Sequence, residues 1–350
     1  MIEKYYELSK YGILLNDKKF KKIAKPKISI ISAVYNQEKY ILKYIRSIQN
    51  QFFDDIEIIL IDDYSKDQSV KIIENLQKED GRIILIKHYN NKGTLISRND
   101  GILNSSGEYI IIPDTDDILS NDILNKTYIL AKQYNYDIIS FNIYIGNNDI
   151  YMNNIIKDIQ SKAIYQPALS KYIFYGKGYL EQIDVCLHNK LVKREIYLAA
   201  LNSIDSFYLK QNMNNWEDSL INFMLFKKAN SYYYIKYIGY YYIKNQNSIT
   251  RNYKKYMEKT IRNGFLYLKF IFSNTKNTKI EKGIAECVFN NIYLDILNIN
   301  YFKYINHDFN FYYEIIDSYL NNKFISFNSK KILNEIKKQI KKNQKIKEKI

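Results

Sequence analysis

Carboxylates directly follow two apolar segments of the chain, and their spacing suits the binding of a cation and a diphosphate. Asp62 and Asp63 follow the first segment, and Asp114, Asp116 and Asp117 follow the second. If both segments are strands of one parallel sheet, these side chains meet at its carboxyl edge, where ligands bind. Clustered carboxylates repel one another unless a cation or hydrogen-bond donors lie between them. The pattern predicts a Mg²⁺ or Mn²⁺ ion that bridges a diphosphate.

A structural role is the alternative for each cluster. Asp and Ser are common in loops between strands and helices because their side chains cap helix N-termini. Ser65 and Gln68 resemble a capping box before a helix that contains Val70. Capping alone does not require three carboxylates within the four residues 114–117, so the second cluster favours a binding role.

Strands and helices alternate in the region that must hold these clusters. Apolar runs predict five strands: Ile28–Val34, Ile56–Ile61, Arg82–Ile86, Tyr109–Ile112 and Asp137–Tyr144. Helical spacing of apolar residues separates them, as between Tyr40 and Ile48. This alternation predicts a doubly wound α/β domain with a parallel sheet. After Arg251 the pattern changes to long helical segments.

Composition restricts the class of protein and its partners. The chain has 350 residues, 46% of them hydrophobic, which is enough for a large α/β domain and a smaller region. We expect a basic lead at 1–25, a catalytic domain at 26–250 and a helical region with a basic tail at 251–350. The net charge of +15 favours an anionic partner. Two cysteines and no apolar run of membrane-spanning length predict a cytoplasmic protein, at the inner face of the membrane if peripheral.

Several short motifs follow one another between residues 26 and 145. They are Val34-Tyr35-Asn36, Asp62-Asp63-Tyr64-Ser65-Lys66-Asp67, Asn91 with Gly93, Arg98-Asn99-Asp100-Gly101-Ile102, Gly107-Glu108-Tyr109 and Asp114 to Asp117. In this order they resemble the inverting glycosyltransferases of family 2. The resemblance implies a GT-A fold, which is the Rossmann-like fold of nucleotide-diphospho-sugar transferases. Tyr64 departs from the family pattern, which has glycine there.

The resemblance also implies a donor site. Its donor-binding residues would be Val34, Tyr35, Asn36, Glu38, Asp62, Asp63, Arg98, Asp114 and Asp116. Asp62 or Asp63 would recognise the base, and Arg98 would order the site. Asp116 and Asp117 would bind a divalent cation, Mn or Mg. The implied activity is metal-dependent, inverting transfer by a single displacement from a nucleotide sugar, with a UDP-sugar first, to a hydroxyl group in bacterial surface polysaccharide or glycoconjugate synthesis.

A second zone resembles the acceptor side of the family. The implied residues on the acceptor or phosphate side are His188, Lys190, Arg194, Glu217 and Ser248. Asp218 would be the general base, because an acceptor hydroxyl must lose its proton as it attacks. The alternative for Glu217 and Asp218 is a charged first helical turn, favoured by the helix dipole. The partner would be a saccharide or lipid-linked acceptor.

Other classes of protein remain alternatives. A dinucleotide oxidoreductase is rejected because Tyr35-Asn36-Gln37-Glu38 follows the first strand in place of a glycine-rich loop. A sugar-phosphate nucleotidyltransferase or a non-catalytic protein that binds nucleotides or nucleic acid stays open. Nucleic acid is not expected as the partner, because the clusters at the ligand edge are acidic. The lysines from Lys330 onward predict peripheral contact with an anionic membrane, and the alternative is a solvated basic tail.

Overall fold

The computed structural model describes residues 20–146, 162–166, 186–214, 216–243, 253–274, 309–320 and 327–347. The chain forms two compact units. The first comprises Met1–Leu169, Asp184–Asn214 and Ile221–Asn245, and the second comprises Ser170–Ile183, Asn215–Leu220 and Gln246–Ile350. The two units therefore alternate along the sequence. The domain boundaries expected at residues 25 and 250 stay predictions.

Within the described residues, a nine-stranded sheet forms the centre of the first unit. Its strands are β1 Ile28–Val34, β2 Ile56–Asp62, β3 Ile83–Lys87, β4 Tyr109–Ile111, β5 Ile118–Leu119, β6 Ile138–Gly146, β7 Lys162–Tyr165, β8 Lys190–Lys193 and β9 Ser231–Ile243. Their order is β3-β2-β1-β4-β8-β6-β9-β5, and β7 also pairs with β9. The predicted α/β class is confirmed, although the sheet is mixed because three short strands run antiparallel to their neighbours.

Six strands of this sheet run in one direction. β1 pairs in parallel with β2 and β4, and β2 pairs in parallel with β3. β8 is antiparallel to both β4 and β6, so β6 keeps the direction of β4, and β9 runs parallel to β6. The residues that follow Val34, Asp62 and Ile111 therefore share one edge with the last residues of β9. This edge is the place where an α/β sheet binds its ligands.

Helices cover the sheet of the first unit. They are α1 Ile41–Gln49, α2 Ser69–Glu79, α3 Thr94–Leu103, α4 Ile123–Tyr134, α5 Arg194–Leu201 and α6 Ser206–Leu209, and α7 Glu217–Lys228 begins in the second unit and continues in the first. α1 buries Ile41, Ile45 and Ile48, the apolar side of its helical pattern. α3 packs closely because Gly101 lacks a side chain: a Cβ atom there would lie 2.3 Å from Ile31 Cγ2.

The second unit is helical where it is described. Its long helices are α8 Tyr253–Asn274, α9 Phe309–Leu320 and α10 Phe327–Lys347. Phe265 of α8 meets Tyr312 of α9 edge to face, with ring centroids 5.0 Å apart. The expected helical C-terminal region is confirmed. Among the described residues, no helix combines the length and the apolar character needed to cross a membrane.

Candidate functional site

The acidic segment 114–117 connects β4 to β5 at the carboxyl edge of the sheet. Arg98, which is buried on α3, donates from Nη2 to Asp114 Oδ1 at 2.7 Å. The second Asp114 oxygen lies 3.7 Å from His188 Nδ1. Arg98 and Asp114, both expected around the donor, thus lie close to His188, which was expected on the acceptor or phosphate side. A fixed guanidinium beside this carboxylate offsets part of the negative charge of the segment.

Asp117 is turned into the protein and is 2% exposed. Its Oδ2 accepts a hydrogen bond from the Tyr240 hydroxyl and its Oδ1 accepts one from Ile243 N, both at 2.7 Å. Burial raises the pKa of the Asp117 carboxyl well above its usual range, and the charges of Asp116 and Asp114 raise it further. The two hydrogen bonds oppose that rise. Asp117 therefore holds the end of β9 against the acidic segment.

Asp116 differs from Asp117 because its side chain is half-buried. The described residues contain no group of three or more His, Cys, Asp or Glu side chains that could hold a metal ion. Hard divalent cations prefer oxygen ligands, and Mg²⁺ is often bound by one or two carboxylates together with substrate phosphates. The donor set thus fits a cation that shares its ligands with a diphosphate, with Asp116 as the better placed carboxylate. The expectation that Asp117 binds the ion stays a prediction, one that this geometry favours less.

Tyr240 connects these residues, and no motif in the sequence marks it as a site residue. Its hydroxyl accepts a hydrogen bond from Asp114 N at 3.0 Å while it donates to Asp117. Its ring stacks on His188, with centroids 4.4 Å apart and planes 23° from parallel. Burial, then the charges of Asp117 and Asp114, raises the pKa of the Tyr240 hydroxyl well above its ordinary value, so it stays a donor.

The carboxylates at the end of β2 hold backbone. Asp63 accepts from Lys92 N at 2.7 Å and from Gly93 N at 2.8 Å. It also lies 2.9 Å from His88 Nδ1, and the other nitrogen of that ring lies 2.9 Å from Asp100. Asp62 accepts from Ser65 N at 3.2 Å. Both carboxylates are buried, so recognition of a base by either stays a prediction.

The loops after β1 and β2 hold each other through reciprocal hydrogen bonds. Asn36 N donates to Ser65 Oγ at 3.0 Å, and Lys66 N donates to Asn36 Oδ1 at 2.8 Å. Glu38 and Asp67 repeat this pattern: Glu38 N donates to Asp67 Oδ2 at 3.0 Å, and Glu38 Oε2 accepts from Gln68 N at 3.1 Å. Glu38, expected in the donor site, is engaged in this pairing.

The predicted capping box of Ser65 and Gln68 is wrong. α2 begins at Ser69, and Asp67 Oδ1 accepts from its backbone N–H at 3.0 Å. Ser65 accepts instead from Asn36 N in the loop after β1, and Tyr64, directly before it, has a left-handed backbone at φ 71°. Sequence spacing does not reveal a partner that lies in the loop after another strand.

Two other residues expected in the donor site lie at the end of β1 and directly after it, and they contribute in different ways. The side chain of Val34 lies in the core, so only its backbone reaches the edge, where its carbonyl accepts from Asp63 N at 2.8 Å. Tyr35 is 48% exposed. An exposed aromatic ring at the carboxyl edge can stack on a planar ligand such as a base.

The segment expected on the acceptor side forms β8 and its flanks. Lys190 is fully buried and donates to the Cys186 carbonyl and, at 3.0 Å, to Asn189 Oδ1. Arg194 Nε donates to Ser105 Oγ at 3.1 Å. These contacts hold the strand and the start of α5. A role for either residue on the acceptor or phosphate side stays a prediction.

The expected base lies in the second unit, in the first turn of α7. Asp218 is half-buried there, whereas Glu217 is buried. Trp216 precedes them with a left-handed backbone, at φ 67°. Ser248 lies outside the described residues.

Known proteins resemble this chain in sequence. Residues 29–199 match the family model described as glycosyl transferase family 2. EpsH of Bacillus subtilis (strain 168), whose description as a glycosyltransferase is provisional, is 32% identical over 66% of this chain and 64% of that protein. The GalNAc(5)-diNAcBac-PP-undecaprenol beta-1,3-glucosyltransferase of Campylobacter jejuni is 27% identical over 77% of this chain and 90% of that protein. The chain spans 40%, 64% and 39% of the first three curated relatives that it matches.

Solved structures resemble the chain in fold. TarS 1–349 of S. aureus, in complex with UDP-GlcNAc, has a TM-score of 0.68 and 18% identity over 92% of this chain and 90% of that one. The mannosyltransferase PcManGT from Pyrobaculum calidifontis, in complex with GDP-Man and Mn²⁺, has a TM-score of 0.55 and 13% identity over 95% and 86%. At these identities the likeness concerns the fold, and it confirms the predicted GT-A architecture.

Proposed function

We propose that this chain, whose residues 29–199 match the family model of glycosyl transferase family 2, transfers a sugar from a nucleoside-diphosphate donor to an acceptor hydroxyl. The acceptor would belong to bacterial surface polysaccharide or glycoconjugate synthesis. UDP-sugars are the first donors to test, since TarS was solved with UDP-GlcNAc. The observation that carries the proposal is the acidic segment at the carboxyl edge, braced by Arg98 and Tyr240. This edge is where an α/β sheet binds a nucleotide.

The half-buried carboxylate of Asp116 is the proposed ligand of a divalent cation, Mn²⁺ or Mg²⁺. PcManGT was solved with Mn²⁺, and the carboxylates here are of the hard type that such ions prefer. When bound, the ion would stabilise negative charge on the departing diphosphate. Asp117 acts as a positioning residue, because both of its oxygens already accept hydrogen bonds.

The residues after β1 and β2 form the proposed nucleoside side of the site. The exposed ring of Tyr35 offers a stacking surface for the base. Asn36 and Glu38 fix the loop that carries it through their bonds to the β2 loop. Asp63 fixes the chain around Lys92 and Gly93, and we keep it with Asp62 as the candidates for recognition of the base.

Asp218 is the proposed general base. It takes the proton of the acceptor hydroxyl while that oxygen forms a bond to the anomeric carbon. The bond from this carbon to the diphosphate oxygen breaks in the same step, and the nucleoside diphosphate leaves. One displacement inverts the anomeric centre. The position of Asp218 in the first turn of a helix supports its role as the base, because the helix backbone holds the carboxylate in place.

Peripheral membrane contact through α10 is a further part of the proposal. One side of this helix packs within the second unit: Tyr313 of α9 donates to Gln344 at 3.0 Å, and Leu333, Ile336 and Ile340 are buried. The exposed lysines follow one another at helical spacing: Lys331, Lys338, Lys341, Lys342 and Lys345. Because these three apolar side chains are buried, the attraction to anionic lipid would be electrostatic.

Two other activities are not favoured. A sugar-phosphate nucleotidyltransferase would break the bond between the two phosphates and would need a different family match from the one found. A non-catalytic nucleotide- or nucleic-acid-binding protein would not need a carboxylate in the position of Asp218.

The decisive experiment is a screen of nucleotide sugars for hydrolysis in the absence of acceptor, with Mn²⁺ or with a chelator. We expect one nucleotide sugar to give a nucleoside diphosphate and free sugar only when the metal is present. Asp116→Ala is the matched inactive control. In a parallel reaction with added pyrophosphate, release of a sugar phosphate and a nucleoside triphosphate would support the nucleotidyltransferase instead. No turnover with any donor would contradict the proposed activity.

A further inference from the structure

The chain contains a single tryptophan, Trp216, and it occupies an unusual place. Its carbonyl accepts the first hydrogen bond of α7, from Leu220 N at 3.1 Å, so it stands at the N-cap of the helix. Its φ of 67° lies in the left-handed region, where a bulky side chain is a rare and strained outlier. Strain of this kind persists where the surroundings enforce it, and it clusters at functional sites.

Capping of the helix does not explain why a tryptophan occupies this position. N-cap positions favour Ser, Thr, Asp, Asn and Gly, whose side chains accept a helix N–H or relieve strain. An indole has no acceptor to offer, and a large ring gains nothing from a positive φ. The sequence therefore breaks two local preferences at the residue directly before Glu217 and Asp218. Such departures are expected where a residue serves function.

The surroundings of Trp216 fix one part of the ring and leave another part open. Its rings stack on Tyr267 of α8, with centroids 6.0 Å apart and planes 20° from parallel. Tyr267 is buried, whereas Trp216 is half-buried. Within the described part of the chain, its indole N–H donates to no protein acceptor. A rigid aromatic surface with a spare donor thus reaches solvent.

We propose that Trp216 is the platform on which the sugar ring of the acceptor stacks, an inference that rests on the proposed function. The Cα atoms of Trp216 and Asp218 are two residues apart and at most about 7 Å from each other. A sugar that lies on the indole through its C–H face can therefore present a hydroxyl to the proposed base. The indole N–H can donate to a second hydroxyl of the same ring.

The chemical class of the acceptor follows from this surface. A pyranose has a flat C–H face that suits an aromatic ring, whereas an open-chain polyol has none. The acceptor end is accordingly a cyclic saccharide, free or attached to a lipid, and not an open-chain polyol phosphate. Donor binding does not involve Trp216.

Because Trp216 is the single tryptophan, its fluorescence reports this surface alone. The full-length protein would be titrated with a panel of methyl hexopyranosides, with UDP and Mn²⁺ present, and with glycerol and ribitol phosphate as open-chain controls. We expect a saturable change in tryptophan emission with at least one glycoside and none with the controls. An unchanged emission across all glycosides, or an equal response to ribitol phosphate, would overturn the inference.

A pair of variants separates stacking from simple packing. Trp216→Phe keeps an aromatic face, and Trp216→Leu keeps apolar volume without one. We expect Trp216→Leu to raise the KM for a saccharide acceptor about tenfold, the loss of one well-packed contact. Trp216→Phe should recover part of it, and UDP affinity by calorimetry should stay unchanged in both. Equal acceptor KM in all three proteins, or a parallel loss of UDP affinity and thermal stability, would mean a structural role only.

Failure of this inference and failure of the proposed function give different results. If the wild type binds UDP and hydrolyses a donor but its tryptophan ignores glycosides, only the platform is wrong. If it shows neither donor binding nor hydrolysis, the proposed transfer is contradicted, and the platform that rests on it is withdrawn as well. If Trp216→Leu does not fold, the fluorescence titration of the wild type still decides the matter.

Discussion

Tyr240 and Asp117 form a buried hydrogen bond of 2.7 Å that joins the last strand of the sheet to the acidic segment. The same hydroxyl accepts from the Asp114 backbone, so one phenol sets the position of both ends of the segment 114–117. Asp116, which lies between these ends, is the proposed cation ligand. Its placement thus depends on a side chain more than a hundred residues away in sequence.

Replacement of Tyr240 by phenylalanine should weaken donor binding. Tyr240→Phe keeps the ring that stacks on His188 but leaves the buried Asp117 carboxylate with one donor fewer. Removal of a hydrogen-bond partner from a buried polar group lowers the free energy of unfolding by about 1–3 kcal/mol. We expect lower UDP affinity with Mn²⁺ present, measured by calorimetry, together with a lower melting temperature.

Tyr237→Phe is the matched control on the same strand. Tyr237 also donates its hydroxyl to a carboxylate, at 2.6 Å, but that carboxylate is Asp122. Burial and the Asp122 contact raise the pKa of Tyr237 to about 12, so it too is a donor at neutral pH. UDP affinity should be unaffected in Tyr237→Phe. Equal losses in the two variants would show that the Tyr240 hydroxyl has no special part in donor binding.

Replacement of Asp116 and replacement of Asp117 should affect different properties, metal-dependent UDP binding in the first case and stability in the second. Asp116→Ala should abolish the dependence of UDP binding on Mn²⁺, because this carboxylate is the proposed ligand. It should lower stability less than Asp117→Ala does, because Asp116 is half-buried and Asp117 is buried. Asp117→Ala should lower stability, since Tyr240 and Ile243 N would lose their acceptor. Calorimetry with and without chelator and thermal unfolding measure the two effects. Metal-dependent binding that survives in Asp116→Ala would remove this residue as a ligand.

The placement of the carboxylates could be predicted from sequence because it depends on local patterns. Apolar runs ended at Val34 and near Asp62 and Ile112, and parallel pairing brought these ends to one edge. β8 was not predicted as a strand, because it has four residues and begins with a lysine, Lys190, that is buried in the structure. A buried lysine satisfied by carbonyl oxygens looks like a surface lysine in the sequence.

The hydrogen bonds that refine the site could not be predicted, because their partners are distant in sequence. Tyr240 was one tyrosine among 36, and nothing in its neighbours marked it as a partner of Asp117. Similarly, the contact of Arg98 with Asp114 and that of His88 with Asp63 depend on how α3 and β3 pack against the sheet. Motif order located the residues, and only the fold determines which of them touch.

Asp67 should make stability depend on pH in the acid range. Burial alone would raise its pKa, but hydrogen bonds from Ser69 and from Glu38 N outweigh burial and lower it. A lowered pKa in the folded state means that the stabilisation is complete above the unfolded value, about 3.9, and is lost as pH falls through the folded value.

The test compares the wild type with Asp67→Asn. The difference in melting temperature should be largest near neutral pH and should shrink as the pH falls below about 4. A constant difference at every pH would mean that the charge of Asp67 does not contribute.

The lysines of α10 should govern binding to anionic vesicles. Near such a surface each lysine contributes about 1 kcal/mol, so the triple variant Lys338→Gln, Lys341→Gln and Lys342→Gln should weaken binding roughly a hundredfold. These side chains are exposed, and the buried face of the helix is kept. The control makes the same change at the exposed lysines Lys39, Lys71 and Lys78 of the first unit. Vesicle sedimentation with phosphatidylserine is the measurement, and equal weakening in both triple variants would exclude α10 as the contact.

Asp218→Asn is the sharpest test of the proposed base. Asn is nearly isosteric and cannot accept the proton, so folding and UDP affinity should stay close to wild type. Transfer at saturating donor should fall by roughly the 10²–10⁴-fold that positioned acid–base catalysis contributes. Glu217→Gln is the matched control in the same helical turn: because Glu217 is buried, the change should alter the melting temperature far more than the rate. Near-normal turnover of Asp218→Asn, or an equal loss of rate in Glu217→Gln, would mean that Asp218 is not the base.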